Sequence, residues 1–250
     1  RIRSHLCTVR PMPSEASFTG KGSDDDRSMR SGHIPAPAVR RLSLYLRELE
    51  RFQAEGRQTI SSKQLGLPLG LTDAQVRKDL ACFGQFGHPG VGYRAEEMIH
   101  RIRRILGTDR TWKTLVVGAG NLGQALVSYR GFIRKSFDIV AIFDHDPRKI
   151  GMSIGIPPGL KVLAREAIRS MVIQQGIAIG ILCVPADAAQ RTADLLVEAG
   201  VKGILNFAPV AVSVPAGISL ASVDLAVHLE QLAFHISASQ ISLQKTLPGL

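Results

Sequence analysis

The stretch VVGAGNLG, residues 116–123, decides the fold of most of this chain. Gly118, Gly120 and Gly123 make the spacing G-x-G-x-x-G, with an apolar run (TLVVG, 114–118) before it and a helical pattern (121–130) after it. In a strand–turn–helix this spacing has a mechanical meaning. Gly118 permits the tight turn, Gly120 lets a pyrophosphate come up against the backbone, and Gly123 lets the helix pack closely on the strand. The helix N-terminus adds unpaired N–H groups and the positive end of its dipole. Ala119, Asn121 and Leu122 complete the candidate cofactor-binding turn. The glycine spacing alone is weak, and it gains force from Asp144, which ends the next strand 21 residues after Gly123, where a ribose-binding carboxylate belongs. An Asp accepts hydrogen bonds from a ribose 2′-OH and repels a 2′-phosphate, which favours NADH and NAD⁺ over their phosphorylated forms. Arg148 and Lys149 lie close by and weaken that preference. A bland glycine turn, or CoA held in a similar fold, is the alternative at this point.

Downstream, apolar runs FDIVAIFD (137–144), IGILCV (179–184) and GILNF (203–207) alternate with helical stretches 163–174 and 186–199. Short continuous strands separated by helices predict a parallel, doubly wound sheet. A last helix is expected at 222–236, with Leu225, Leu229, Leu232 and Ile236 on one face, followed by a frayed tail at 238–250.

Upstream of Gly107, which stops a helix at 95–106 and marks the expected domain boundary, the texture is different. A helix at 38–55 carries Val39, Leu42, Leu46, Leu49 and Phe52 as one apolar stripe. Ser61 and Ser62 open a short second helix, which Gly66–Gly70 breaks. Thr72 is the expected N-cap of a third helix (72–83), with Gln75 completing a capping box. Val76, Leu80 and Phe83 face inward on that helix, whereas Gln75, Arg77, Lys78 and Asp79 are expected largely on the other side. Residues 84–93, GQFGHPGVGY, hold four glycines and suit a tight hairpin. Three helices followed by such a hairpin is the order of a winged helix, whose third helix lies in the major groove. Arg77 and Lys78 then offer phosphate contacts or a bidentate contact to guanine, and Gln75 could read adenine. Ser61, Ser62, Thr72, Gly90 and Tyr93 complete the candidate DNA-binding set.

Composition sets the outer bounds. The chain is 45% hydrophobic and 21% charged over 250 residues, long enough for two domains. Residues 1–110 hold 19 Lys and Arg against 12 Asp and Glu, and the remainder holds 12 against 9. The basic excess on the first portion points to a polyanion such as nucleic acid. No apolar run is long enough to span a membrane. Residues 1–33 lack a signal-peptide pattern and read as a disordered tail, and a cytoplasmic location is expected. Cys7, Cys82 and Cys183 have no metal-ligand or disulfide spacing, so no metal site is expected. The seven histidines give no acid/base group beside a nicotinamide, so an NAD-dependent dehydrogenase has no support and no catalytic residues are assigned.

Five segments together resemble the Rex family of redox-sensing repressors: TDAQVRKDLACFGQFGHPGVGY (72–93), VVGAGNLGQAL (116–126), FDHDPRKIG (143–151), VPADAAQRTADLLVEAGVKGILNFAPV (184–210) and VDLAVHLEQLAF (223–234). The similarity runs from about residue 34 to 237. It implies an α/β protein with a winged-helix domain (34–107), a Rossmann-like NAD(H)-binding domain (112–220), a dimerisation helix (222–237) exchanged between subunits, and a flexible end (238–250). It implies a homodimer that binds palindromic operator DNA and releases it when NADH binds, NAD⁺ favouring the DNA-bound form. Val184 and Pro185 join the cofactor set on this resemblance. Arg47, Tyr129 and Asp224 match the positions of the family's polar relay between cofactor and domain orientation. His88-Pro89 departs from a family wing that often carries a cation there, and Leu225 stands where some relatives have an aromatic.

Overall fold

The computed structural model describes residues 36–84, 86, 92–155 and 159–246. The expected tail at 1–33, Gly90 and most of the expected hairpin lie outside the described residues. The chain divides into two compact units, with the division between Thr111 and Trp112.

The first unit is built from α1 (Ala36–Ala54), β1 (Thr59–Ile60), α2 (Ser62–Gly66), a 3₁₀ turn (Leu67–Leu69), α3 (Asp73–Ala81), β2 (Tyr93–Arg94) and α4 (Ala95–Leu106). Leu42, Leu46, Leu49 and Phe52 of α1 are buried as the helical spacing predicts, together with Leu65, Val76, Leu80, Met98 and Ile102. Val39, expected on that stripe, is more exposed. The strand β2 pairs antiparallel with β1, Ile60 opposite Tyr93 and Thr59 opposite Arg94. The 84–93 segment thus returns its described end to the strand before α2, where Gly92 has a positive φ of 82° and no room for a Cβ against the Ile60 carbonyl. Helices in this order, closed by a short antiparallel pairing, form a winged-helix unit. Gly107 ends α4 in the left-handed conformation.

The second unit contains β3 (Trp112–Val117), α5 (Asn121–Ser128), β4 (Phe137–Asp144), β5 (Ser153–Ile154), β6 (Leu160–Ala164), α6 (Ile168–Gln175), β7 (Ile179–Leu182), α7 (Ala186–Ala199), β8 (Gly203–Asn206), β9 (Ser219–Ser222) and α8 (Leu225–Thr246). Seven strands form one sheet in the order β5-β6-β4-β3-β7-β8-β9. All neighbours are parallel except β5 and β6. Both faces are covered, which is why the strands read as continuous apolar runs. Leu115, Val117 and Phe143 pack with Val172, Ala193 and Leu196 of α6 and α7. Val116, Ile142 and Ile181 point the other way, against Leu126 and Val127 of α5. This is a doubly wound, Rossmann-like sheet.

Three expectations change. Residues 163–174 are not one helix: Leu160–Ala164 forms β6 and pairs with the open edge of β4, Val162 opposite Ile142, so the helix starts only at Ile168. The strand β9 was not anticipated, since Ser219–Ser222 is a largely exposed edge strand with little apolar signal. The last helix begins at Leu225 rather than 222 and continues to Thr246 through much of the expected tail. Leu225, Leu229, Leu232, Phe234 and Ile236 are exposed along it. Among the described residues no helix is long and apolar enough to cross a membrane.

Candidate functional site

The glycine turn joins β3 to α5 at the carboxyl end of the central strand. Gly118 has φ 104°, donates its N–H to the Phe143 carbonyl on β4 (2.8 Å), and a Cβ there would run into the Cys183 carbonyl beyond β7. Gly123 is buried, and a Cβ there would run into the Gly118 carbonyl. Gly120 is different: it precedes α5 with an ordinary φ of −80°, and a Cβ would meet nothing within 4 Å. Two glycines therefore serve the packing of three backbone segments, and one leaves open space at a helix N-terminus. The first bond of α5 runs from the Gln124 N–H to the Gly120 carbonyl, so the N–H groups of Asn121, Leu122 and Gly123 have no acceptor within the helix. Asn121 and half-exposed Leu122 border that space, while Ala119 is turned inward and fully buried.

Asp144 ends β4 beside this turn, 4% exposed. Its Oδ2 accepts from the Ala119 N–H (2.8 Å) and the Lys149 ammonium (2.9 Å), and its Oδ1 from the Asp146 N–H (2.9 Å). Burial pushes this carboxyl up. The hydrogen bonds from Asp146, Lys149 and Ala119 outweigh burial and hold it below the usual range. Asp144 therefore clamps the glycine turn from the end of the neighbouring strand. The two nearby cations are matched: Lys149 by Asp144, and exposed Arg148 by Asp146 (2.9 Å), whose pKa it holds down to about 2.

Val184 and Pro185 lie across the crevice, in the turn from β7 to α7, with Pro185 as the N-cap. Chain order reverses at this point, since β4 lies on one side of β3 and β7 on the other. Ligands of open α/β sheets bind at such a switch point. Burial pushes the neighbouring Cys183 thiol up to about 12, which leaves it inert as a nucleophile.

In the first unit, the structure brings several expected residues together. Ser61 caps α2 in a capping box with Gln64, and Ser62 accepts from Arg77 Nη1 at 3.2 Å. Arg77 also pairs with Asp73 (2.8 Å), and its charge counteracts burial, which raises the phenol of Tyr93. Thr72 caps α3 by accepting the Gln75 N–H (3.1 Å). The Gln75 side chain does not complete the box at Thr72. It donates instead to Asp79 Oδ1 at 2.7 Å. Asp79, expected on the outward side, is 2% exposed, because Arg41 and Tyr45 of α1 donate to it (2.7 Å from Arg41 Nη2 and 2.7 Å from Tyr45 Oη). Burial pushes this carboxyl up, and bonds from Arg41, Tyr45 and Gln75 reverse the direction. A buried carboxylate is a more demanding acceptor than a solvated backbone N–H is a donor, so the amide goes to Asp79. Arg77 and Lys78 are exposed as expected.

The relay positions are found separately. Arg47 lies on α1 with its side chain 64% exposed. Tyr129, 61% exposed, ends α5, packs edge-to-face on Phe132 (5.1 Å between centroids) and lines a cavity of about 460 Å³. Asp224 caps α8, accepting from the N–H groups of Ala226 (2.9 Å) and Val227 (3.2 Å). Among the described residues no hydrogen bond joins Tyr129 to Asp224. Among them too, no cluster of three His, Cys, Asp or Glu could hold a metal.

Comparison with known proteins follows the same division. Residues 33–81 match the family model "Putative DNA-binding protein N-terminus" and residues 109–210 match "CoA binding domain". The chain is 48% identical over 208 residues to the redox-sensing transcriptional repressor Rex of Carboxydothermus hydrogenoformans, covering 83% of this chain and 99% of the relative. It is 43% identical over 209 residues to that of Solidesulfovibrio magneticus, covering 84% and 94%. Among solved structures it is similar to RSP in complex with beta-NAD⁺ and operator DNA (TM-score 0.79, 38% identity, 85% of this chain and 97% of that one). It is also similar to RSP in complex with beta-NADH (TM-score 0.75, 36% identity, 84% and 98%).

Gly123→Ala should lower the thermal midpoint of the chain by several degrees while Gly120→Ala leaves it within about 2 °C, because only the first Cβ meets backbone. Circular-dichroism melts compare the two, and equal midpoints would contradict the division of roles.

Asp144 titrates below its unfolded value of about 3.9. Its contribution to stability is therefore present above that pH and lost as pH falls through the folded value. Asp144→Asn should destabilise the chain at pH 7 and flatten the loss of stability below about pH 5, read from urea unfolding at a series of pH values. An unchanged acid limb would show that the carboxylate is not stabilised in the fold.

Proposed function

The chain belongs to the Rex family of redox-sensing transcriptional repressors, and on that footing we propose that it binds NADH or NAD⁺ at the glycine turn and operator duplex through α3, reduced cofactor releasing the DNA. The observation that carries this reading is the open space over Gly120 at the start of α5, at the carboxyl end of β3, where Asp144 ends the neighbouring β4 and Val184–Pro185 follows the neighbouring β7 at the switch point of the sheet. A pyrophosphate there meets the N–H groups of Asn121, Leu122 and Gly123 and the positive end of α5. A ribose hydroxyl donates to Asp144 in place of the Lys149 ammonium. The similar RSP complexes hold the same two kinds of ligand.

On the duplex side, residues 34–107 form the reading unit. Arg77 exchanges Asp73 for phosphate or guanine, Lys78 takes a phosphate, and Ser61, Ser62, Thr72, Gly90 and Tyr93 fix the register. Residues 112–220 form the dinucleotide unit. The exposed apolar residues of α8 support its Leu225–Ile236 stretch as a dimerisation surface, and a homodimer matches a palindromic site by its own two-fold symmetry. Arg47, Tyr129 and Asp224 carry the cofactor's effect. Two of them are largely exposed, so they can change partners without opening a core, as a two-state element requires. The chain is a regulator rather than an enzyme, and the cytoplasm, which holds both the duplex and the dinucleotide pool, is its place of action. A cofactor can shift the DNA equilibrium only by its differential affinity for the two states, and by linkage the duplex must weaken NADH by the same factor.

A gel-shift on a palindromic duplex selected from a random library tests this. NADH should weaken binding at least tenfold, and NAD⁺ and CoA should not. Gly120→Ala should lose that response while still binding duplex. Lys78→Ala should weaken duplex binding, reduce the salt slope by about 2, one phosphate contact being lost from each protomer, and leave NADH affinity unchanged. Operator binding indifferent to saturating NADH would end the sensor reading.

A further inference from the structure

The polar cluster around Asp79 is not required by the reading above, and the sequence pattern did not foresee it. Asp79 sits between Val76 and Leu80 on the inward side of α3, where an apolar residue would be the simpler choice. Both of its oxygens are saturated. Oδ1 accepts from Arg41 Nη2 and from Gln75 Nε2, each at 2.7 Å, and Oδ2 accepts from Arg41 Nε (2.5 Å) and Tyr45 Oη (2.7 Å). The two-pronged Arg41 contact and the Tyr45 hydroxyl fix the carboxylate in position and rotation, because neither donor can be kept if it turns.

The consequence falls on Gln75. An ionised carboxylate only accepts, so the amide must turn its nitrogen inward; the flipped amide would set its oxygen against Oδ1. Its carbonyl oxygen and second N–H make no other hydrogen bond among the described residues, and Gln75 is only half-buried. Gln75 is in the first turn of α3, the part of a recognition helix that reaches base edges. An amide presenting oxygen and N–H side by side matches the N6–H and N7 edge of adenine. Resting on the repressor reading, we propose that Asp79 is a positioning residue that sets the polarity of the Gln75 amide, and that Gln75 so oriented reads an adenine in each half of the operator. Arg77 and Lys78 have no such fixation. Arg77 is shared between Asp73 and Ser62, and Lys78 is a flexible point charge on the exposed side.

The full chain and its variants are put through binding-site selection on a randomised duplex library. Gln75→Ala should relax one A·T position per half-site by about tenfold and leave the other positions intact. Asp79→Asn should relax the same position, since the neutral amide no longer dictates which end of Gln75 faces inward, and adding it to Gln75→Ala should relax that position no further. A Gln75→Ala variant with unchanged base preference would overturn the proposal, as would an Asp79→Asn variant that weakens every duplex by one common factor, the outcome of a purely structural tie. Should Asp79→Asn not fold, the side-chain amide of Gln75 in the parent is read by NMR, assigned by its loss in Gln75→Ala. One amide hydrogen shifted downfield and slow to exchange is expected, and random-coil behaviour of both overturns the orientation. A parent that binds no duplex would instead sink the repressor reading, with the amide signal still reporting on Asp79.

Discussion

Three backbone segments meet at the end of β3 more closely than any side chain allows. The Gly118 turn lies against the Cys183 carbonyl, and α5 at Gly123 lies against the Gly118 carbonyl. This contact fixes where α5 starts relative to the strand, and so where its unpaired N–H groups point. It also sets the spacing between β3 and β7 at the position where chain order reverses. The candidate site of the second unit follows from it, since Asp144 ends β4 and the Val184–Pro185 turn follows β7 on the two sides of this strand. The Asp144 clamp on the Ala119 N–H holds the same turn from the third side.

Each unit places one buried carboxylate at its candidate site, and the two are built alike. Asp144 and Asp79 are nearly inaccessible, burial raises both, and donors from several segments more than offset it. Such a group is an expensive way to gain stability, because a well-packed apolar residue would often do as well. What it does that an apolar residue does not is dictate which end of each neighbouring polar group faces it. At Asp144 the constraint falls on a backbone N–H and an ammonium, and at Asp79 on an amide whose two ends are chemically different. Position and polarity are thereby set before any ligand arrives, which reduces what binding must order.

Much of this was legible in the residues. The strand–turn–helix around Gly118–Gly123, the helix 186–199 and the helix 95–106 follow from periodicity and glycine placement, and the structure has them at those bounds or within a few residues. The glycine roles were legible because steric permission is local. What escaped was non-local. Nothing in LKVLA signals that it pairs with the free edge of β4, and the exposed strand SLAS lacks an apolar pattern altogether. Asp79 read as a surface residue because helical spacing assigns faces by hydropathy. Two of its three donor residues come from a helix 34 and 38 residues earlier. The misplaced capping box has the same origin: Thr72-x-x-Gln75 satisfies the pattern, but the pattern cannot see a competing acceptor one turn ahead.

The rigidity of the glycine turn bears on how a sensor with this fold must operate. A ligand changes a conformational equilibrium only if it interacts differently with the two states. Backbone contacts that exclude a Cβ have one arrangement, so on the repressor reading the turn and the Asp144 clamp contribute affinity for a dinucleotide without discriminating between the two states. Discrimination has to come from groups with more than one arrangement available. In the second unit these are the exposed Tyr129, packed edge-to-face on Phe132, and the exposed apolar residues of α8 between Leu225 and Ile236. On the repressor reading, affinity for the dinucleotide and response to its redox state are therefore lodged in different residues, and substitutions should separate them: changes at the turn scale binding of both cofactors together, whereas changes at Tyr129 or α8 alter the ratio between them.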